Sequence, residues 1–309
     1  MNNGKRGTSR APLANGAVSG AEPPCLLCGS VHARYWTTKV GRRVHRCRDC
    51  RCIWVPDGLV VNERGESIYE EAEPIFLKDG NEQYYLDETN LLSCRAKVYW
   101  VEKSLPRGKR LLDVGANFGH FLKEASAVYD AVGVEISKTA VERSEKLFGV
   151  RNYVGSIYDL PEAAKGPWEA ATLWDVIEHV PDPMGALEAI RDLLEPGGKI
   201  YLSTPDAGSA VARAMGSRWH YLDPVQHIVL FGRRNLSDLL ERAGFRVFET
   251  RSFGHHYRVG YVLDRLAYLH GEGHVGRVVR PLLGTARALN DRSVYVNLRD
   301  VMGIAAERV

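Results

Sequence analysis

Long apolar segments are missing from this chain of 309 residues. No uninterrupted apolar run approaches the roughly 20 residues that a helix needs to cross a bilayer, so no membrane association is expected. The first residues also lack the apolar core, about 7 to 15 residues long, of a secretory signal. These two absences lead us to expect a cytoplasmic protein.

Strong net charge is absent as well. The formal charge of +3 is too small to indicate a polyanionic partner. Residues 1–22 are mostly Gly, Asn, Ala and Ser, with too few apolar side chains to offset the entropy of ordering, so a disordered tail is expected there. Arginines nonetheless crowd one short stretch, where a solvated face is favoured over nucleic-acid contact, so nucleic acid is not an expected partner. They are Arg42, Arg43, Arg46, Arg48 and Arg51.

Four of the six cysteines form a pair of C-x₂-C motifs. Cys25 and Cys28 are followed, after 18 residues, by Cys47 and Cys50. Four thiolates at this spacing predict a closed tetrahedral zinc site, which would be structural rather than catalytic. In a reducing compartment, cysteines favour metal binding over disulfides. Residues 23–58 are therefore predicted to form a zinc ribbon.

The ribbon leaves alternatives open. Cys52 and His45 are competing ligands, and a metal-free hairpin with free thiols is the other interpretation of the same cysteines. The 31–45 segment, with Gly41 near its centre, has the length of that hairpin. Beyond the ribbon, residues 59–107 predict a helical linker or lid.

From Lys109 onward, strands and helices alternate, which predicts a parallel sheet with crossover helices. A strand at 110–114 runs into a glycine turn at 115–119 and then a helix, and a second strand ends at Glu135. An acidic side chain directly before the turn would repel a pyrophosphate and attract an ammonium or a sulfonium. Asp113 occupies that position. Glu135, 22 positions later, can accept hydrogen bonds from two ribose hydroxyls.

These residues carry a family resemblance. The segments LDVGANFG at 112–119 and GVE at 133–135 resemble the first two motifs of class I S-adenosylmethionine-dependent methyltransferases. The segments at 155–161, 174–183 and 193–198 resemble later motifs in the same order. Asn117 stands where the family usually has a glycine, and Ser156 stands where it often has an acid that contacts adenine. The resemblance implies that the cofactor is bound by Asp113, Gly115, Asn117, Gly119, Glu135, Ser156, Ile157 and Asp175.

The resemblance also implies a fold. It is an α/β, Rossmann-like, seven-stranded methyltransferase sheet over 108–309, with a small N-terminal zinc ribbon and a helical cap at about 258–292 before the last strand. The sixth and seventh strands are expected at 245–253 and 301–307. The chain would be a monomer or a homodimer.

The acceptor side resembles a methyltransferase subfamily with an amino-terminal four-cysteine module, whose members act on nucleotide-linked deoxysugars and other small metabolites. His227 matches the position of the histidine base of the sugar enzymes. The other candidates for the base are His179 and the pair His255 and His256, beside Tyr257. Glu178 is interpreted as shaping the pocket, and Trp219 and Tyr221 either wall it or pack in the core.

The expected function is methyl transfer from S-adenosylmethionine to a small metabolite or sugar-linked intermediate at O, N or C. A zinc-ribbon RNA methyltransferase is one alternative. A non-catalytic protein that binds zinc and cofactor is the other.

Overall fold

The computed structural model describes residues 22–56, 89–260, 262 and 292–309. Of the tail predicted at 1–22, only Glu22 is described. Residues 59–88 of the predicted linker and most of the predicted helical cap also lie outside the described residues. Within the described ranges, no helix is long and apolar enough to cross a membrane.

A seven-stranded sheet forms the main core. Its strand order is β10-β11-β8-β7-β4-β5-β6, with β11 antiparallel to both of its neighbours and the strands from β8 to β6 parallel. Parallel strands buried on both faces read as continuous apolar runs, and Leu111 and Leu112 are fully buried. The predicted α/β methyltransferase fold is confirmed. The strands are β4 (Arg110–Val114), β5 (Asp130–Glu135), β6 (Asn152–Val154), β7 (Trp168–Trp174), β8 (Leu194–Pro205), β10 (Phe245–Arg258) and β11 (Ser293–Arg308).

Helices cover both faces of this sheet, and short side chains fix where they begin. The Ser137 hydroxyl accepts from the Ala140 N–H at the start of α3, and Asp182 accepts from the Gly185 N–H at the start of α4. The apolar spacing also puts Leu147 on the helix face of Ala140 and Ser144, but Leu147 is 45% exposed, whereas those two residues are buried. The helices are α1 (Thr89–Glu102), α2 (His120–Ala125), α3 (Lys138–Phe148), α4 (Pro183–Leu193), α5 (Ala210–Met215) and α6 (Arg233–Arg242).

The last two strands are longer than expected. β11 pairs with β8 only from Val301 to Glu307. Beyond that point β10 and β11 continue as a two-stranded arm that pairs as far as Arg258 with Ser293. Among the described residues no third strand pairs with this arm, which extends past the predicted bounds 245–253 and 301–307.

A second, four-stranded sheet forms the amino-terminal module, in the order β1 (Ala33–Lys39), β2 (Arg42–Cys47), β3 (Ile53–Trp54) and β9 (Val229–Leu230). The β1–β2 hairpin turns at Val40 and Gly41, both with left-handed backbone, as a tight hairpin requires. β9 comes from the acceptor region of the large domain. The module is thus joined to that domain by sheet hydrogen bonds.

Side chains reinforce this junction. The Asn235 amide donates to the Cys50 carbonyl at 2.9 Å, and Arg242 donates to the Leu27 carbonyl at 2.9 Å. Cys25 and Cys47 belong to the same apolar core cluster as Phe231. The residue bounds of the predicted domains stay predictions, but the module and the sheet share one core.

Candidate active site

The glycine turn after β4 is shaped by close contacts. Gly115 has a φ of 74°, and a Cβ built on it would lie 2.5 Å from Cγ2 of Val176. Asn117 is also left-handed, with a φ of 47°. Asparagine is one of the few residues with a Cβ that tolerates this region, which explains how it replaces the family's glycine. The turn therefore passes close to the end of β7 with no room for added side chains.

Glu135 links the ends of two neighbouring strands. It ends β5, is 8% exposed, and accepts from the Asn117 N–H at 3.0 Å and the Ser137 N–H at 2.9 Å. Burial raises the pKa of Glu135, and the two backbone donors oppose that rise. The carboxylate holds the glycine turn against the turn after β5.

Asp113 lies at the end of β4 and is almost completely buried, with 2% of its surface exposed. Its Oδ1 accepts from the Thr172 hydroxyl at 2.6 Å. Burial raises the pKa of Asp113 to about 7, although the hydroxyl opposes the shift. A cationic ligand would stabilise the ionised form of this buried carboxyl, which accepts one side-chain hydrogen bond.

Asp175 follows β7 in a left-handed conformation, with a φ of 57°. Its Oδ1 accepts from the Ser203 hydroxyl at 2.9 Å, and its Oδ2 lies 3.5 Å from the Lys97 ammonium. Burial raises the pKa of Asp175, but the charges of Lys97 and His255 outweigh it and hold the pKa below its ordinary value. Lys97 was not predicted as a site residue, because nothing in the helix pattern of α1 marks it.

Ser156 and Ile157 lie in the turn after β6. The Ser156 hydroxyl accepts from the backbone N–H groups of Tyr158 and Asp159 at 3.3 and 3.1 Å. Ile157 packs against the main core. Their predicted contact with adenine stays a prediction.

The two candidate histidines come together. His179 ends the 3₁₀ turn Ile177–His179 after β7, His227 precedes β9, and their ring centroids are 4.8 Å apart. The Ile228 N–H donates to the Glu178 carbonyl at 2.9 Å and so holds one loop beside the other. The sequence predicts each histidine separately, and the structure pairs them.

Both rings are held in one tautomer. Nδ1 of His179 lies 2.8 Å from the Gln226 carbonyl, and Nδ1 of His227 lies 2.6 Å from the Tyr221 carbonyl. A carbonyl only accepts, so each Nδ1 carries the proton and the lone pair is on Nε2. Burial lowers the pKa of His179 to about 3 and also lowers the pKa of His227, so both imidazoles are neutral.

Glu178 completes this cluster. It is 1% exposed, and its Oε2 accepts from the Thr204 hydroxyl at 2.9 Å. Among the described residues, its buried Oε1 has no hydrogen-bond partner. One ligand atom each from Glu178, His179 and His227 lies within 4.8 Å of the others. The interpretation of Glu178 as a pocket-shaping residue did not anticipate this grouping, because His227 is distant from Glu178 in sequence.

The aromatic side chains Trp219 and Tyr221 differ in their burial. Trp219 is 1% exposed, and its indole N–H donates to Asp300 at 3.2 Å. It is a core residue. Tyr221 is half-buried, 6.4 Å from His227 between ring centroids.

The cysteines of the two C-x₂-C motifs meet in the amino-terminal module. The Sγ atoms of Cys25, Cys28, Cys47 and Cys50 all lie within 4.8 Å of one another. The Cys25–Cys50 and Cys28–Cys47 sulfur separations are 3.5 and 3.7 Å. Bonds of about 2.3 Å to a tetrahedral zinc would place sulfurs about 3.8 Å apart, so the four thiolates fit this ion.

The competing ligands Cys52 and His45 lie in the same module, and the choice of the four cysteines over them stays a prediction. Cys52 is buried with its Sγ 3.3 Å from that of Cys25, but it is not part of the four-sulfur group. His45 points its Nε2 to the Glu22 carboxylate and stacks 5.6 Å from Trp54 between ring centroids.

Comparison with known proteins defines the class. The methyltransferase-domain family matches residues 82–250, which is more than half of the chain. The chain belongs to this family.

Several known methyltransferases are similar to parts of this chain. The ubiquinone biosynthesis O-methyltransferase of Dechloromonas aromatica is 33% identical over 121 residues, 35% of this chain and 50% of that protein. The enzyme of the same name from Xanthomonas campestris pv. campestris is 38% identical over 104 residues, 31% of this chain and 43% of that protein. The chain thus spans about half the length of the curated relatives it matches. A solved structure of a SAM-dependent methyltransferase from Thermotoga maritima is similar at 19% identity with a TM-score of 0.49, covering 76% of this chain and 98% of that one.

Proposed function

We propose that this protein transfers the methyl group of S-adenosylmethionine to a small-molecule acceptor. The observation that carries the proposal is the link between Glu135 and the Asn117 N–H beside the buried Asp113. This arrangement places two carboxylates and a glycine-bounded turn at the carboxyl ends of β4 and β5, which is where open α/β sheets bind ligands.

The residues present fit that cofactor. Asp113 would face the ammonium and sulfonium charges, Glu135 would accept from the ribose hydroxyls, and the glycine turn, which Gly115 lets pass close to Val176, would lie beside the methionine moiety. The Asn117 side-chain oxygen is buried with no hydrogen-bond partner among the described residues, so it is available to a ligand. Gly119 and Asp175 border the same turn, and Ser156 with Ile157 would contact adenine.

S-adenosylmethionine supplies a methyl group that its sulfonium already activates. The protein must align the acceptor in line with the sulfur and, for a hydroxyl acceptor, assist loss of its proton. The curated relatives are O-methyltransferases, which supports an oxygen nucleophile on a small metabolite or sugar-linked intermediate. His179 and His227 can assist only through Nε2, either as the proton acceptor expected from the sequence or as ligands of a cation.

We also infer that Cys25, Cys28, Cys47 and Cys50 bind one structural zinc ion. The sulfur separations support this assignment, and four thiolate ligands leave no position for a substrate. The ion would stabilise the end of the sheet to which β9 belongs.

Incubation with isotopically labelled S-adenosylmethionine and a panel of phenols, amines, nucleotide-linked sugars and transfer RNA tests the function. Label is expected in one of the small molecules, with a rate that changes little as salt rises. Transfer to RNA with a rate that falls steeply with salt would replace the small-molecule acceptor by a nucleic acid. Failure to bind S-adenosylmethionine in calorimetry would refute the proposal itself.

A further inference from the structure

The cluster of Glu178, His179 and His227 has the composition of a metal site. It brings two imidazoles and one carboxylate from two segments to within 4.8 Å. The segments are held together by the backbone hydrogen bond from Ile228 to Glu178, so the grouping does not depend on side-chain rotamers alone.

The outer contacts of the histidines match those of metal ligands. A metal-bound histidine almost always donates its second ring N–H to a carbonyl, carboxylate or water, which fixes its tautomer. Nδ1 of His179 and Nδ1 of His227 both make this contact with backbone carbonyls, at 2.8 and 2.6 Å. The lone pair of each ring is therefore on Nε2, the form required for ligation.

Glu178 supplies an independent observation. Its carboxyl is 1% exposed, and Oε1 has no hydrogen-bond partner among the described residues. An unpartnered polar oxygen in a buried site is costly, and a bound cation would remove the cost.

We propose that Glu178, His179 and His227 bind one divalent transition-metal ion, such as Zn²⁺, at the acceptor side of the methyl-transfer site. Two imidazoles and one carboxylate suit zinc, iron or nickel better than Mg²⁺ or Ca²⁺, which prefer all-oxygen ligands. Three protein ligands leave positions open, unlike the closed four-cysteine site. Ligands bound at about 2.1 Å lie at most about 4.2 Å apart, so metal binding would require these ligand atoms, which lie within 4.8 Å of one another, to come closer together.

The role of this ion rests on the proposed function. An open-sided cation would bind the acceptor hydroxyl and lower its pKa. The hydroxyl proton would pass to solvent water, the oxygen lone pair would form the new C–O bond, and the electrons of the broken C–S bond would return to sulfur. His227 would then serve as a ligand rather than as the direct base that the sequence predicts.

The metal content of the full chain tests the site. Protein purified without chelator, then equilibrated with Zn²⁺ and desalted, is expected to hold two zinc ions per chain, one at the cysteines and one here. Glu178→Gln and His227→Gln should each hold one. His120→Gln, which removes a histidine that packs on Phe148 away from the cluster, should hold two. One zinc in the wild type, or two in both cluster variants, would overturn the proposal.

Cofactor binding in the same samples separates the two proposals. Affinity for S-adenosylhomocysteine, measured by calorimetry, should stay within threefold of wild type in the cluster variants, which also shows that they are folded. If His227→Gln loses activity at least 100-fold while keeping two zinc ions, the direct-base role is correct and the metal site is wrong. If wild type holds two zinc ions but binds no S-adenosylhomocysteine, the metal site stands and the proposed function fails.

Discussion

The backbone N–H of Asn117 donates to the carboxylate of Glu135 at 3.0 Å, across the gap between the turns that follow β4 and β5. This bond joins the two segments that resemble the first and second motifs of the family. A single carboxylate thus holds the glycine turn, and in the proposed function it would also accept from the cofactor ribose.

Glu135→Gln should weaken cofactor binding roughly 30- to 150-fold, which corresponds to about 2 to 3 kcal/mol, because hydrogen bonds to a charged acceptor are lost. Calorimetry with S-adenosylhomocysteine measures the effect. Glu142→Gln, an exposed change on α3, is the matched control and should leave affinity unchanged. Wild-type affinity in the Glu135 variant would remove this residue from the site.

Cofactor affinity should rise with pH because Asp113 has a pKa of about 7. Its ionised fraction grows roughly tenfold between pH 6 and pH 8, and the ionised form attracts the cationic cofactor. The Kd for S-adenosylhomocysteine should therefore fall by up to about tenfold over this range, and Asp113→Asn should lose most of that slope. An equal slope in the variant would assign the titration to another group.

The raised pKa of Asp113 has the opposite effect on the stability of the unliganded protein. The folded pKa of Asp113 lies above the unfolded one, so this group costs stability progressively as pH rises from about 4 to about 7. Asp113→Asn should stabilise the unliganded protein at pH 8 by about 1 kcal/mol or more, a rise in Tm of roughly 2 to 4 °C. Thermal unfolding at pH 8 and at pH 4 checks this, since the gain should shrink at the lower pH.

Gly115→Ala should be more harmful than Gly149→Ala. Both glycines have positive φ, but the added Cβ meets Val176 at 2.5 Å in the first case and nothing within 4 Å in the second. Gly149→Ala should cost about 1 kcal/mol of stability with normal cofactor affinity. Gly115→Ala should cost about 2 to 4 kcal/mol and at least tenfold in affinity. Equal effects in denaturant unfolding and calorimetry would show that the contact with Val176 is unimportant.

Cys25→Ser should lose one zinc ion relative to wild type and lower Tm by roughly 4 to 8 °C, or about 2 kcal/mol for domains near this size. The decrease in stability should be larger than it would be for a module that folds alone, because β3 pairs with β9 of the large domain. Cys94→Ser, at a half-buried cysteine in α1, is the control and should keep its zinc. Unchanged zinc content in the Cys25 variant would transfer the ligand role to Cys52.

The sequence predicts the parallel half of the sheet well because buried strands there are short apolar runs that end in the motif residues. Arg110–Val114 is observed as predicted, and the second strand begins only one residue earlier than expected. The arm formed by β10 and β11 was not predicted. Val294, Val296 and Leu298 alternate along β11 and are the signal that could have found it, although the outer residues of the two strands are half-buried or exposed.

The candidate site, like the sheet, could be predicted from the sequence only in part. Asp113, Gly115 and Glu135 were found because their chemistry is local to two motifs. Lys97 and the contact between His227 and Glu178 depend on how distant segments pack, and neither leaves a local pattern. The pairing of β9 with the ribbon was missed for the same reason.

That pairing bears on the order of folding. The bond between Asn235 and Cys50 joins positions 185 residues apart, whereas the strands from β4 to β8 meet their neighbours over shorter stretches of chain. Contacts of high sequence separation form late, because the loop entropy must be lost before they contribute. We therefore expect the cofactor half to fold first. The loop that carries His227 would become ordered last, when the amino-terminal module packs against it. A nascent chain would then bind its methyl donor before it could bind an acceptor.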